Sequence, residues 1–173
     1  MRKILLVIDM QNDFIDGSLG SAEAENIVQN AINKIKEYPP ENVFATKDTH
    51  EANYLSTSEG RHLPVEHCIR GSEGWDIRPE ISSLIPPENV YEKGTFGSLA
   101  LAEKVAEMAR KEEISVEMVG LCTDICVVSN ALLIKAYLPE IPISVDSSCC
   151  AGVTPDKHNA ALETMRSCQI NVE

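Results

Sequence analysis

Two kinds of stretch alternate along the chain. Short runs with few polar interruptions occur at Ile4–Ile8, Asn42–Thr46, Asn89–Tyr91, Ile114–Val119, Ile141–Val145 and Gln169–Val172, and each reads as a strand. Ile4–Ile8 is apolar throughout, the pattern of a strand covered on both faces. Between these runs the apolar positions recur at helical spacing. Glu23–Tyr38 places Ile27, Ala31, Ile32 and Ile35 on one face and stops at Pro39-Pro40. Ser98–Glu112 is strongly amphipathic, and Pro155–Ser167 opens on a proline, suited to a first helical position. Gly120 is expected to break the fourth strand. Thr123 and Asp124 are then expected to cap a helix through Tyr137 that carries Val127, Val128, Leu132 and Leu133 on its apolar side. Asp13, Asp16, Gly17, Ser18 and Gly20 mark a loop, Pro79–Leu84 a helical turn, and Thr49–Arg78 a long polar connection of the functional kind. Strand and helix alternate with no repeat or linker. The expectation is one α/β domain over residues 1–173, in three α/β/α layers around a mostly parallel sheet.

Charge narrows the partners. The net charge of −12 excludes the basic stripe of a nucleic-acid surface and argues against an anionic membrane. The opening apolar run spans only about six residues before Asp9, too short for a signal peptide or a spanning helix, so a cytoplasmic location is expected. In that compartment Cys68, Cys122, Cys126, Cys149, Cys150 and Cys168 are expected to stay reduced, and their spacing fits neither a zinc ribbon nor a thioredoxin-type pair.

In parallel sheets ligands gather beyond the carboxyl ends of the strands. Asp9, Asp48 with His50, Lys93 and Cys126 all fall there. Taken singly, Asp9 reads as a cap, Lys93 as a solvated charge and Cys126 as a small core residue. Together they have complementary chemistry. A lysine cation and a helix N-terminus favour thiolate at Cys126, and an aspartate can accept or return the thiol proton.

Three segments carry a resemblance. Asp9-Met10-Gln11-Asn12-Asp13-Phe14, Glu92-Lys93-Gly94-Thr95-Phe96-Gly97-Ser98 and Gly120-Leu121-Cys122-Thr123-Asp124-Ile125-Cys126 resemble, in order, the aspartate, lysine and nucleophile segments of the isochorismatase-like cysteine hydrolases, which include nicotinamidases. The resemblance implies a Rossmann-like fold and a catalytic triad of Asp9, Lys93 and Cys126. It implies attack by Cys126 on a substrate carbonyl to form a thioester, and proton transfer through Asp9. Lys93 would hold Asp9 and the thiolate in charge balance, and the backbone N–H groups of Cys122 and Cys126 would form an oxyanion hole. A cis peptide before Cys122 and a homodimer or homotetramer are also implied. The presence of Cys126 points to C–N hydrolysis of a small amide, nicotinamide first, with a carbamoyl or ureido compound as the alternative. A small-molecule binding or redox-sensing protein, motivated by Cys122, Cys149 and Cys150, is the reading outside enzymes.

Asp48-Thr49-His50 and the later His67 resemble the ligands that hold zinc or another divalent ion in nicotinamidases. Thr49 stands where tryptophan is usual, Glu51–Gly60 has no further histidine, and Pro64-Val65-Glu66-His67 is one residue longer than usual. Two readings therefore stand: a bound metal, or no cofactor with His50 and His67 as hydrogen-bonding residues of the pocket. Phe14, Tyr54 and Trp75 are the aromatic candidates for a wall against a flat ring. His158, inside the last helix, is expected to be structural or exposed.

Overall fold

A computed structural model describes residues 1–173. In chain order it contains β1 (Arg2–Ile8), α1 (Asn12–Ile15), α2 (Ala22–Ile35), β2 (Val43–Asp48), α3 (Ser58–His62), α4 (Pro79–Ser82) and β3 (Val90–Lys93). Then follow α5 (Leu99–Ala109), β4 (Ile114–Leu121), α6 (Val128–Tyr137), β5 (Ile143–Ala151), α7 (Pro155–Ser167) and β6 (Asn171–Val172). The strands form one parallel sheet in the order β3-β2-β1-β4-β5-β6. The chain winds outward from β1 to β3, then crosses back to β4. The order reverses between β1 and β4, and a crevice opens at such a switch point.

Side chains of β1 alternate between two cores. Ile4, Leu6 and Ile8 pack with Leu101, Val105, Ile134 and Met165 of α5, α6 and α7. Leu5 and Val7 pack with Ile27, Ala31 and Ile35 of α2 and with Ile81 of α4. Both faces are covered, which is why the strand had no polar position to spare. Hydroxyl caps start the long helices: Ser21 accepts from the Ala24 N–H, Ser98 from Leu101 and Thr154 from Lys157, with Pro155 opening α7.

Several expectations need correction. Asp13 and its neighbours do not form a plain loop; Asn12–Ile15 is a helical turn because Phe14 and Ile15 are buried beneath it. Thr49–Arg78 likewise contains α3 and single turns at Tyr54–Ser56 and Glu73–Trp75. Helix α2 ends at Ile35, as Lys36–Tyr38 turn ahead of the prolines. β5 does not end at Asp146 but runs to Ala151; the Asp146 carboxylate meets Lys34 of α2 at 3.0 Å, so a mid-strand acid is paired.

Gly120 does not break β4. It lies within the strand at φ +124°, where a Cβ would sit 2.1 Å from the Ile8 carbonyl oxygen. The glycine lets β4 pass against β1 just before the site. Gly120→Ala is therefore expected to cost roughly 3 kcal/mol, read as a lowered urea midpoint.

The residues after Asp9 clamp the long connection to the sheet. The Gln11 amide donates to the carbonyls of Asp48 (2.8 Å) and Trp75 (2.7 Å) and accepts from the Asp48 N–H (2.7 Å). Asn12 donates to the Glu73 carbonyl at 2.8 Å, and Asp13 accepts from the Cys68 N–H at 2.7 Å.

Candidate active site

The carboxyl ends of β1, β3 and β4 bring Asp9, Lys93 and Cys126 together. Asp9 leaves β1 at φ +46°, a left-handed conformation aspartate tolerates better than most residues. Its Oδ1 accepts from the Thr46 hydroxyl at 2.6 Å, and its Oδ2 lies 2.7 Å from Lys93 Nζ. Lys93 Nζ is also 3.4 Å from Cys126 Sγ and 3.3 Å from Asp48 Oδ1. All three groups are buried. Burial raises Asp9 above the usual carboxylate range, with Lys93 opposing. Burial would neutralise Lys93, but the carboxylates of Asp9 and Asp48 and the Cys126 sulfur hold it charged. The Cys126 thiol is pushed up by burial and by Asp9, against Lys93. Burial and Asp9 thus favour the thiol at Cys126, against the pull of Lys93 and the helix N-terminus toward thiolate.

The turn that carries Cys126 differs in build from its expected form. Leu121–Cys122 is cis. Cys122 itself, not Thr123 or Asp124, occupies the N-cap position, and it makes no side-chain cap. Thr123–Val127 forms one wide helical turn, with the Ile125 and Val127 N–H groups donating to the Cys122 carbonyl. Thr123 and Asp124 point away from it: the Thr123 hydroxyl meets His158, and the Asp124 carboxylate accepts from the Val153 N–H. His158 is thus tied to the turn rather than solvent-facing. The buried apolar residues here are Val127 of the turn and Ala131 and Ile134 of α6, with Val128, Leu132 and Leu133 half-buried beside them.

Asn130 escaped the sequence reading. It is buried one helical turn beyond Cys126, where its amide donates to the carbonyls of Cys126 (2.8 Å) and Phe96 (3.2 Å) and accepts from the Ser98 N–H (2.9 Å). It thus ties the segment after Lys93 to the turn that carries Cys126. A polar residue on an otherwise apolar helical face was its one signal in the sequence.

A second cluster adjoins the first. Asp48 Oδ2 lies 2.9 Å from His50 Nε2 and 3.7 Å from His67 Nε2, and Glu59 Oε1 lies 3.6 Å from both imidazole nitrogens. These four donor atoms all fall within 4.8 Å of one another. His67 Nδ1 engages the Val65 carbonyl at 2.8 Å, which leaves Nε2 facing inward. His50 Nε2 is buried without an aligned hydrogen-bond partner. Two imidazoles, two carboxylates and an orphaned buried nitrogen fit a divalent cation. Glu59 was missed because only a further histidine was sought there; α3 delivers the carboxylate instead. Asp48 joins the two clusters, one oxygen toward Lys93 and the other toward the histidines.

The aromatic candidates separate. Tyr54 is fully buried, packed against His50 and His67 with ring centroids at 4.7 and 5.0 Å, and its hydroxyl donates to the Leu63 carbonyl. It supports the histidines and cannot form a substrate wall. Trp75 donates its N–H to the Thr49 hydroxyl at 2.8 Å, and Lys47 Nζ stands 3.1 Å from its ring centroid. One face of that ring is therefore taken. Thr49, where tryptophan was expected, serves as the acceptor for Trp75. Phe14 lies 5.5 Å from the His67 ring and remains the candidate for a ring contact. A polar cavity of about 340 Å³, lined by Asn12, Asp13, Asp16, Glu73 and Arg78, opens beside the clamp rather than over Cys126.

The isochorismatase domain profile matches residues 3–173. The chain is 27% identical to the nicotinamidase/pyrazinamidase of Mycobacterium tuberculosis, over 98% of this chain and 97% of that one. The crystal structure of nicotinamidase/pyrazinamidase PncA from Bacillus subtilis superposes with a TM-score of 0.81 at 28% identity, covering 99% of each chain. The pyrazinamidase of Pyrococcus horikoshii, solved in complex with zinc, shares the fold with a TM-score of 0.78 at 24% identity, over 100% of this chain and 99% of that one. With these likenesses spanning the strand ends that carry Asp9, Lys93 and Cys126, the chain belongs to the isochorismatase family, on its nicotinamidase-related side.

Proposed function

We propose that the chain hydrolyses the C–N bond of a small amide, with nicotinamide the first candidate, through a thioester on Cys126. The carrying observation is the position of Lys93 Nζ, 2.7 Å from Asp9 Oδ2 and 3.4 Å from Cys126 Sγ. Cys126 Sγ attacks the carbonyl carbon as its proton passes to Asp9. The oxygen that becomes negative is held by the backbone N–H groups of Cys122 and Cys126. When the C–N bond breaks, Asp9 gives the proton to the departing ammonia. Asp9 then takes a proton from water as the water attacks the thioester, and Cys126 recovers its proton when the acid leaves. Lys93 keeps Asp9 ionised between these transfers.

Asp48, His50, Glu59 and His67 would hold a divalent ion, zinc or another, which supplies a Lewis-acid anchor for a ring nitrogen. The rival redox reading has less support: burial pushes Cys122 to about 12 and Cys149 to about 11, and neither has a lysine within hydrogen-bond distance as Cys126 has Lys93.

The test is ammonia release from nicotinamide by purified protein, before and after EDTA and again with added zinc. Loss in EDTA with recovery in zinc is expected, and Glu59→Ala should raise the zinc concentration needed for recovery by about 10- to 100-fold. Release from carbamoyl or ureido compounds that EDTA leaves untouched would establish the metal-free alternative instead.

A further inference from the structure

Thr123 lies between the two residues whose N–H groups form the proposed oxyanion hole, and it is fully buried. Its hydroxyl makes a single hydrogen bond, at 2.8 Å, to Nδ1 of His158 in the first turn of α7. The Thr123 hydroxyl has no other hydrogen-bond partner, so the neutral ring that satisfies its proton is the one that accepts at Nδ1 and carries its hydrogen on Nε2. A second tie runs beside the first: Asp124 accepts from the Val153 N–H at 2.9 Å. The connection from β5 to α7 is pressed onto this junction. A Cβ on Gly152 would meet Asp124 Oδ1 and the backbone nitrogen of His158, each at 2.8 Å. The turn that presents Cys126 is therefore held from outside the catalytic group, by a half-buried histidine and by the Asp124–Val153 tie beside it.

We propose that His158 is a positioning residue for the hydrolysis: through Thr123 it holds the backbone of Cys122–Cys126 in its reactive arrangement, and protonation of its ring weakens that hold by reversing the bond and leaving the Thr123 hydroxyl proton without an acceptor. The proposal rests on the reading of Cys126 as nucleophile. A protonated ring carries a hydrogen on Nδ1 and can only donate, so the bond reverses: the Thr123 oxygen accepts, and its own proton must rotate away to a buried place with no hydrogen-bond partner. Burial already holds His158 below the ordinary histidine range, with Asp124 opposing, so the neutral state is the resting one. On its own helix Asp156 and Lys157 are exposed. On the packed elements Lys135 of α6 is engaged with the Pro139 carbonyl, and Asp146 of β5 is paired with Lys34.

Two readouts test it. In the first, backbone amides of Cys122, Thr123 and Cys126 are followed by NMR through an acid titration of the intact protein. Their shifts are expected to track the His158 ring midpoint in the wild type and to lose that midpoint in His158→Asn. In the second, kcat for the amide substrate should fall by about 10-fold in His158→Ala while KM changes less than about twofold. His158→Asn, whose carbonyl oxygen can take the place of Nδ1, should restore kcat and lack the acid-side fall tied to His158. His158→Gln sets its oxygen one bond further out and should not restore it. Amides that titrate alike in the wild type and His158→Asn would overturn the proposal. So would a rate loss in Ala and Asn alike that follows their melting temperatures. If the amides track His158 but no amide substrate is cleaved, the coupling stands and the proposed function falls.

Discussion

Cys126→Ala is expected to abolish ammonia release, by on the order of 10⁴-fold or more, while the protein stays folded. The size follows from the scheme: without Sγ no bond forms to the carbonyl carbon, and neither Asp9 nor the oxyanion donors have a tetrahedral centre to act on. The fold should survive because Cys126 contributes one small side chain to a core dominated by Ile4, Leu6, Val116, Met118 and Leu101. The cavity left is small, with a cost of about 1 kcal/mol. Cys126→Ser should be nearly as inactive, since the hydroxyl gives up its proton far less readily than the thiol. The assay is ammonia release beside a thermal melt of each variant. Retained turnover in the alanine variant would end the thiol mechanism.

Lys93→Met should affect both activity and stability, and for one reason. The ammonium is the cation placed against Asp9, at 2.7 Å, whereas Asp48, at 3.3 Å from it, also has His50 at 2.9 Å. Its removal leaves the Asp9 carboxylate without a cation in a buried site, at a cost of roughly 3–5 kcal/mol. Methionine fills similar volume, so packing is a minor part of the loss. The deficit should depend on pH in a definite direction. Asp9 is already raised by burial, and loss of Lys93 removes the charge that opposes the rise. A carboxylate raised in the folded state contributes stability below its unfolded value and loses it as pH rises through the folded value. The variant should therefore be closest to wild type in acid and fall furthest behind at neutral pH. Urea midpoints at several pH values would show this; a deficit independent of pH would mean that Asp9 is not the group left unpaired. Turnover should be lost in parallel, since a protonated Asp9 cannot accept the Cys126 proton.

The apolar run of β1, the helical face of α2 and the proline at α7 were legible in the chain because burial on one or two faces imposes a local period. That local record was enough for a parallel sheet in three layers and for the strand ends at which Asp9, Lys93 and Cys126 lie. Asp48, His50 and His67 were likewise found from residue type and resemblance. What the chain could not show were relations set by contact between distant segments. Glu59 joins the histidines only because α3 folds back over β2. Tyr54 proved to stand behind the imidazoles, and Trp75 to have one ring face under Lys47, only once their partners were known. Gly120 reads locally as a stop, yet its role depends on the Ile8 carbonyl of a strand more than a hundred positions earlier. The state of Cys126 is of the same kind: proximity to a helix N-terminus favours thiolate, but burial and the Asp9 charge, both products of tertiary packing, favour the thiol. Period and residue type are properties of the chain. Partner, burial and protonation state belong to the fold, since each depends on which atoms it brings within a few ångströms.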